Sequence, residues 1–268
     1  MTAAVVVSMP VTLGTRRAAV CQRPDTTLTC CCNTCAERRG RWLTGRVQWE
    51  VLASVPGLER ERLLAGARRR RYVRGEHLVH EGDPADSLHL VAAGRLAVRA
   101  STPDGDSAIL NVLGPGTYFG ELALLPSEKP PVRSASVVAL EPAETLVLSA
   151  STFLTLREDH PGVERLLTVL LARRVEELSD RLVEALYVGL DRRVHRCLAG
   201  LCDVYGAGDA VGPVRIPLTQ SDLADLVGGA RPSVNQVLRR LEDRGVVALR
   251  RGAVEVVDVP ALLSLARR

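Results

Sequence analysis

The sequence predicts an α+β fold made of an antiparallel β-roll of the jelly-roll type, one long helix and a C-terminal winged helix-turn-helix. Three observations predict it. Residues 72–150 carry short β-forming runs separated by glycines, residues 161–190 carry an uninterrupted helical pattern, and Gly228-Gly229 joins two short amphipathic segments that precede a strand-like pair. A chain of 268 residues is long enough for two modest domains, each with its own core.

These patterns divide the chain into four segments. Residues 1–40 have no sustained periodicity, so we expect a disordered extension. This extension contains five cysteines. We expect a β-roll domain over residues 41–160, with one or two short helices before its first strand. A dimerisation helix over 161–190 and a winged helix-turn-helix domain over 191–268 complete the chain.

The roll is predicted by five short runs rich in aliphatic residues, which alternate with turn glycines at intervals of about ten residues. The runs are Leu88–Ala92, Leu96–Val98, Ala108–Val112, Val137–Leu140 and Thr145–Leu148. Asp104-Gly105, between the second and third runs, is a hairpin turn signal. The spacing is typical of an antiparallel sandwich or roll.

The long helix begins at Pro161, whose missing N–H costs nothing in the first turn, and no further Pro or Gly follows Gly162 until Gly189. Apolar and small residues recur along it at spacings of three and four, which is typical of a helix that pairs with a copy of itself. These residues are Thr168, Leu171, Val175, Leu178, Leu182 and Ala185. The sequence therefore predicts a homodimer, the alternative being an ordinary core helix.

The second domain ends in two short helices and a hairpin. Thr219 is placed to cap the first helix, and Pro232 lies in the first turn of the second. Residues 246–249 and 253–257 then alternate like a two-stranded wing, and residues 260–266 predict a short closing helix. This order of elements is that of a winged helix-turn-helix.

The second of these helices turns a polar face to solvent. Its side chains can reach base edges in the major groove, where Arg matches guanine and Asn or Gln matches adenine. We expect DNA contacts from Arg231, Ser233, Asn235, Gln236, Arg239 and Arg240. Thr219, Gln220 and Ser221 at the start of the first helix are placed to hold phosphates. The alternative is a charged helix face that is only solvated.

A small-molecule site is predicted within the roll. Gly120 would let a ligand approach the backbone, Glu121 could accept from a ribose hydroxyl, and Arg133 with Ser134 could bind a phosphate. Leu122 lies in the same run, Phe119–Leu125. Together these groups suit a cyclic nucleotide, although a hairpin with a surface ion pair would look similar.

Several function classes find no support in the sequence. No run reaches the roughly 20 apolar residues that a membrane helix needs, and we expect a cytosolic protein. No phosphate-binding loop, dinucleotide fingerprint or Ser/His/Asp motif appears, so we expect no enzymatic activity. The net charge of +4 is compatible with nucleic acid but does not prove binding.

The N-terminal cysteines leave a second function open. Cys21, Cys30, Cys31, Cys32 and Cys35 supply enough thiolates for an iron–sulfur cluster or a zinc ion, of which Cys21, Cys30, Cys32 and Cys35 form the candidate ligand set. A thiol switch and an unstructured start are the other interpretations. His77 or His80 could ligate a haem, but a lone strand histidine is usually structural.

Over residues 45–268 the chain resembles the Crp/Fnr family of bacterial transcription regulators. Phe119–Leu125 with Arg133-Ser134-Ala135 is similar to the family's phosphate-binding cassette. Ala172-Arg173-Arg174 and the helix through Ser179-Asp180 resemble its dimerisation helix, and residues 218–241 resemble its helix-turn-helix. The resemblance implies double-stranded DNA, a second copy of the chain and RNA polymerase as partners, and a cyclic nucleotide as effector.

Carried over position by position, the resemblance places Gly120, Glu121, Arg133 and Ser134 at the ribose-phosphate. It adds Arg174 from the long helix, and Ser179 facing the base across the dimer. The segment from Glu121 to Arg133 is longer than the usual cassette, and Leu178 stands where a cyclic-AMP receptor has a threonine. Pro232 and Gln236 stand where the best-known members of the family carry Glu and Arg for base reading, which implies a different operator sequence.

The resemblance also implies a mechanism. An anionic effector that bridges the roll and the long helix would shift the dimer toward the geometry it binds better. The two recognition helices would then match half-sites about 34 Å apart. The open alternatives are a redox- or gas-responsive regulator and a regulator that needs no effector.

Overall fold

A computed structural model describes residues 47, 49–101, 107–125, 130–206 and 212–267. Its helices are α1 (Gly57–Ala65), α2 (Ala150–Asp159), α3 (Pro161–Tyr187), α4 (Leu190–Tyr205), α5 (Gln220–Val227), α6 (Arg231–Asp243) and α7 (Val259–Arg267). Its strands are β1 (Arg68–Tyr72), β2 (His77–Val79), β3 (Ser87–Ala93), β4 (Leu96–Ser101), β5 (Ser107–Leu113), β6 (Tyr118–Phe119), β7 (Ser136–Ala139), β8 (Ala143–Ser149), β9 (Val214–Ile216), β10 (Val247–Arg250) and β11 (Ala253–Val256). The predicted α+β class is confirmed.

The roll consists of two antiparallel four-stranded sheets, in the orders β1-β8-β3-β6 and β2-β7-β4-β5. Buried side chains such as Val91 of the first sheet and Leu96 and Val137 of the second fill the space between them. All five predicted runs are strands. The turn signal at Asp104-Gly105 lies outside the described residues, although β4 and β5 pair on either side of it, Ser101 with Ser107.

The sequence did not reveal the edge strand β1, whose residues Arg68–Arg71 are four consecutive exposed arginines. This run has no apolar alternation, so local pattern gives no strand signal. The strand is held instead by tertiary contacts. Arg69 and Arg71 both pair with the carboxylate of Glu144 on β8, at 2.6 and 3.1 Å. Glu144 is itself buried, so its charge needs these partners.

The long helix α3 has two different halves. Near its N-terminus Val163, Leu166 and Leu170 are buried against the roll and the 3-10 turn Glu50–Ser54. In its C-terminal half the predicted pairing seam is open, with Val175 64%, Leu178 52% and Leu182 60% exposed. The helix therefore anchors to the roll at one end and presents an uncovered apolar stripe at the other.

The C-terminal part forms the predicted winged helix-turn-helix. Thr219 and Asp222 make a capping box at the start of α5, and Gly228 ends α5 in the left-handed conformation at φ 60°. The hairpin β10–β11 is extended by β9, a third strand that the sequence did not predict. Because β9 has only three residues, its local signal is weak.

One core joins the roll to the helix-turn-helix. Ala97, Ile109 and Val112 from β4 and β5 are buried together with Leu198 and Leu223 of the C-terminal helices. Arg95 strengthens this junction, since its Nε donates to the carbonyl of Val204 at 2.9 Å and its guanidinium lies 4.6 Å from the Tyr205 ring centroid. It thus binds a terminal carbonyl of α4, where positive charge is favourable.

Within the described part of the chain, no helix combines the length and apolar character that membrane crossing requires. The five N-terminal cysteines, Cys21, Cys30, Cys31, Cys32 and Cys35, lie outside the described residues.

Candidate functional site

A cavity of about 800 Å³ lies between the roll and the long helix. It is lined by most of the predicted effector-binding residues: Gly120, Glu121, Leu122, Arg133, Ser134 and Arg174. Its volume falls in the range of sites for small organic ligands. The fold thus brings together β6, the following turn, the segment before β7 and the middle of α3.

Gly120 has a role that the sequence did not suggest, besides lining the cavity. Its φ is 86°, and an added Cβ would lie 2.4 Å from Nη1 of Arg133 and 2.6 Å from the Ser87 carbonyl oxygen. The space beside Gly120 is therefore filled by the protein's own arginine, not left open to a ligand. The glycine is required because any side chain would displace Arg133.

The guanidinium of Arg133 is buried and fixed. Nη1 donates to the carbonyl oxygen of Ser87 and Nη2 to the hydroxyl of Ser87, both at 2.9 Å. Asp86 lies 3.5 Å from Nη2. Burial lowers the pKa of Arg133, while Asp86 and Glu121 oppose this shift. Nε is buried without a hydrogen-bond partner in the described part of the chain, and an unpaired buried donor calls for an acceptor such as a phosphate oxygen.

The opposite wall of the cavity belongs to α3. Arg174 lies 3.6 Å from the buried carboxylate of Glu121 and 3.3 Å from Glu177. Leu178 also lines the cavity, and its side chain offers no hydrogen bond. Tyr118 donates its hydroxyl to the Leu170 carbonyl at 3.2 Å, and burial, with nearby Glu177 and Glu121, raises its pKa to about 12.

Ser179 is not in this cavity of the single chain. It lies on the exposed face of α3, and its hydroxyl donates to the Val175 carbonyl one turn earlier, at 2.8 Å. The predicted base contact from Ser179 needs a second copy of the chain.

On the recognition helix α6, Arg231, Gln236 and Arg239 are exposed and Ser233 is half-buried. Two predicted DNA contacts look different in the structure. The guanidinium of Arg240 is engaged by Asp191 of α4, with Nη2 2.7 Å from both carboxylate oxygens. Asn235 is half-buried, and its Oδ1 is fully enclosed. Arg231, Gln236 and Arg239 are thus the best-presented of the predicted DNA contacts on this helix.

At the start of α5, Ser221 is exposed and Gln220 half-buried, as phosphate contacts require. The Thr219 hydroxyl is occupied, because it donates to the Asp222 carboxylate at 2.8 Å and accepts from the Asp222 backbone N–H at 3.1 Å. Thr219 therefore shapes the helix end, and its side chain is less available to DNA than the sequence suggested.

Sequence reasoning missed a buried polar chain beneath the cavity. His89 on β3 is 2% exposed, and its Nε2 lies 3.2 Å from the Ser87 hydroxyl. Its Nδ1 lies 3.5 Å from Thr145, and its ring stacks on Phe119 at 4.5 Å. In the sequence these residues look like ordinary strand positions. Their meaning depends on β3 lying beside β6 and β8.

Metal chemistry has no support in the part of the chain that the structure describes. It contains no group of three His, Cys, Asp or Glu side chains that could hold an ion. His77 and His80, the haem candidates, stack on each other with ring centroids 4.5 Å apart. Cys197 and Cys202 are free thiols, and burial raises the pKa of Cys197 to about 12 and that of Cys202 to about 11.

Comparison with known families agrees with this architecture. Residues 69–160 match the model of the cyclic nucleotide-binding domain, and residues 192–265 match that of the Crp-like helix-turn-helix domain. A protein named cyclic AMP receptor protein from Thermus thermophilus is 34% identical over 198 residues, covering 74% of this chain and 88% of that protein.

A protein of Mycobacterium tuberculosis named CRP-like cAMP-activated global transcriptional regulator is 28% identical over 198 residues, which is 73% of this chain and 87% of that protein. Among solved structures, a CRP-family transcriptional regulator from Thermus thermophilus superposes with a TM-score of 0.61 at 26% identity, covering 74% of this chain and 97% of that one.

A second solved structure from that organism, a regulator of the CRP/FNR family, shares the fold with a TM-score of 0.63 at 23% identity, covering 75% of this chain and 99% of that one. The relatives are transcription regulators and not enzymes. With its cyclic nucleotide-binding roll, long helix and Crp-like helix-turn-helix, this chain belongs to the Crp/Fnr family of transcription regulators.

Proposed function

We propose that the chain acts as a homodimer whose affinity for operator DNA is controlled by a cyclic nucleotide bound in the cavity. The observation that carries this proposal is the pairing of Arg133, with its unpartnered Nε–H, and Arg174 in one cavity between the roll and α3. A cyclic nucleotide has one anionic phosphate, which suits these two arginines.

The same cavity suggests positions for the ribose and the base of the nucleotide. Glu121 is buried beside the phosphate position and accepts from a ribose hydroxyl, while Ser134 adds a hydroxyl at the rim. One relative is named as cAMP-activated and another as a cyclic AMP receptor protein, and both names support this nucleotide class. Leu178 provides an apolar wall for the base, with Ser179 approaching from the second copy.

The dimer is supported by the uncovered stripe on α3. Leu171, Val175, Leu178, Leu182 and Ala185 form the proposed interface. Three of its large residues are more than half exposed in the single chain. A stripe of this kind at heptad spacing is buried when two helices pair. Pairing along α3 also places the effector cavities next to the interface, so ligand and dimer geometry are coupled.

The two recognition helices of the dimer read DNA through Arg231, Gln236 and Arg239, with Ser233 beside them. Gln220 and Ser221 hold phosphates. We assign residues 41–160 to sensing, 161–190 to dimerisation and 191–268 to DNA binding. RNA polymerase is the proposed partner at the promoter, and the bacterial cytosol is the proposed compartment.

Selection from a random duplex library would first yield a binding sequence. Its affinity is then titrated with and without excess cyclic AMP or cyclic GMP, together with sedimentation of the protein. We expect a dimer whose operator affinity rises at least about tenfold with one nucleotide, a coupling near 1.4 kcal/mol. Equal affinity in all titrations would exclude control by these nucleotides. A monomer that still binds the selected duplex would exclude the dimer.

A further inference from the structure

The hydroxyl of Ser87 has a full set of partners that can be oriented without conflict. A hydroxyl donates once and accepts twice. Ser87 Oγ lies 2.8 Å from a carboxylate oxygen of Asp86, which can only accept, so Ser87 donates to it. The two remaining positions accept from Nη2 of Arg133 at 2.9 Å and from Nε2 of His89 at 3.2 Å.

This arrangement fixes the tautomer of His89. Its Nε2 carries the hydrogen and its Nδ1 is the acceptor, which the Thr145 hydroxyl approaches at 3.5 Å. Tyr72 in turn lies 3.4 Å from Thr145 and can donate to it. A neutral imidazole fits this chain, since burial, together with the charges of Arg133 and Arg70, lowers the pKa of His89 to about 3.

His89 also connects the chain to the turn at the cavity. Its ring stacks on Phe119, the residue before Gly120, with an interplanar angle of 17°. Ser87 lies on the same strand and holds Arg133 through both its carbonyl and its hydroxyl. One strand, β3, therefore sets the positions of both Gly120 and Arg133.

We propose that Ser87, oriented by His89, is the positioning residue that holds the guanidinium of Arg133 ready for the effector phosphate. With one N–H of each terminal nitrogen bound to Ser87, the buried Nε–H has no acceptor among the residues that the structure describes. Ser87 thus leaves Nε–H for the ligand. The proposal rests on the proposed effector site and adds a residue that need not touch the effector.

The first test measures Arg133 without any ligand. Arginine modification by phenylglyoxal, located by mass spectrometry, should leave Arg133 unmodified in the wild type, since its side chain is 5% exposed. Ser87→Ala removes the hydroxyl contact but keeps the carbonyl contact, so it should raise the reactivity of Arg133 above that of the wild type. Ser87→Thr should keep Arg133 protected because the hydroxyl is retained. Ser151→Ala, an exposed serine on α2, is the matched control and should change nothing.

The second test measures binding of cyclic AMP and cyclic GMP by calorimetry. For whichever nucleotide binds, Ser87→Ala should weaken the binding affinity by about 10–100-fold, which is the range for loss of a hydrogen bond to a charged group. Ser87→Thr should restore the affinity. In an Arg133→Ala background, Ser87→Ala should have no further effect, because its role passes through Arg133.

Three results would decide against the proposal: unchanged nucleotide affinity in Ser87→Ala, continued protection of Arg133 in that variant, or an equal loss of affinity with and without Arg133. The last would mean general damage to the roll. If the wild type binds neither nucleotide, the proposed effector is wrong. The reagent result then shows separately whether Ser87 holds Arg133.

Discussion

Gly120 shows how much one missing Cβ controls in this protein. Gly120→Ala would place a methyl carbon in steric conflict with the Arg133 guanidinium, and it would force an alanine into the left-handed φ region. We expect a loss of roughly 1–3 kcal/mol of stability and a weakening of nucleotide binding by at least about tenfold. Denaturant unfolding and calorimetry measure the two effects.

Gly82→Ala tests the effect of backbone strain alone, without displacement of the Arg133 side chain. Gly82 has nearly the same φ, 85°, but open space where the Cβ would lie. It should lose stability by roughly 1–2 kcal/mol and keep nucleotide affinity. Equal nucleotide affinity in the two variants would show that displacement of Arg133 does not matter for binding.

His89 gives a pH dependence with a definite sign. Its pKa is lowered from 6.5 to about 3, so between these values the unfolded chain binds the proton and the folded chain does not. Above pH 6.5, burial of the neutral His89 ring therefore causes no pH-dependent loss of stability. As the pH falls from 6.5 toward 3, the free energy of unfolding decreases by up to about 1.4 kcal/mol per pH unit. Chemical unfolding of wild type and His89→Phe at several pH values should show a shallower slope in the variant. Parallel curves would contradict this.

The helix α3 anchors to the roll through its N-terminal half and carries the proposed dimer seam on its C-terminal half. Leu182→Glu would place a carboxylate in the seam of both copies, and the dimer should weaken at least about 100-fold because the buried charges have no partner. Sedimentation equilibrium measures this. Val183→Glu, the same change on the adjacent exposed residue outside the seam, is the control and should leave the dimer intact.

The recognition helix α6 is best tested at its first residue. Arg231→Ala should cost about 1–3 kcal/mol and relax preference at one base position, as expected for a side chain that contacts a base edge. Arg244→Ala removes the same charge after the last turn of α6 and serves as the control. Equal weakening of Arg231→Ala on all duplexes would identify a phosphate contact instead.

At the scale of the whole molecule, the contact of the roll with the C-terminal helices offers a route for the signal. Arg95 of the roll holds the last carbonyls of α4, and Ile109 is buried in the C-terminal core. Arg95→Ala should leave nucleotide affinity unchanged but reduce the effect of nucleotide on operator affinity, since coupling requires a contact that differs between states.

Titration of the operator with and without nucleotide measures that coupling, and Arg60→Ala, an exposed arginine on α1, is the control. An undiminished coupling in Arg95→Ala would mean that the signal travels only through α3. A loss of nucleotide affinity itself would instead show that Arg95 supports the cavity.

Local signals were enough to predict most elements and the family resemblance: the heptad spacing along α3, the cap at Thr219, the turn at Gly228 and the glycine-bounded runs of the roll. Most of the effector-binding residues that the sequence predicted line the cavity. The sequence did not identify β1, whose four arginines lack alternation, the short strands β6 and β9, or the helix α2.

The partners of the chemical groups could not be predicted without the packed fold. Ser87 and Arg133 are 46 residues apart, and Asp191 and Arg240 are 49 apart, so no local pattern links them. The structure shows that Gly120 also leaves the space for Arg133, and that Arg240 pairs with Asp191 of α4. Periodicity follows from the geometry of one helix or strand, whereas these contacts exist only once the sheets and helices have packed together.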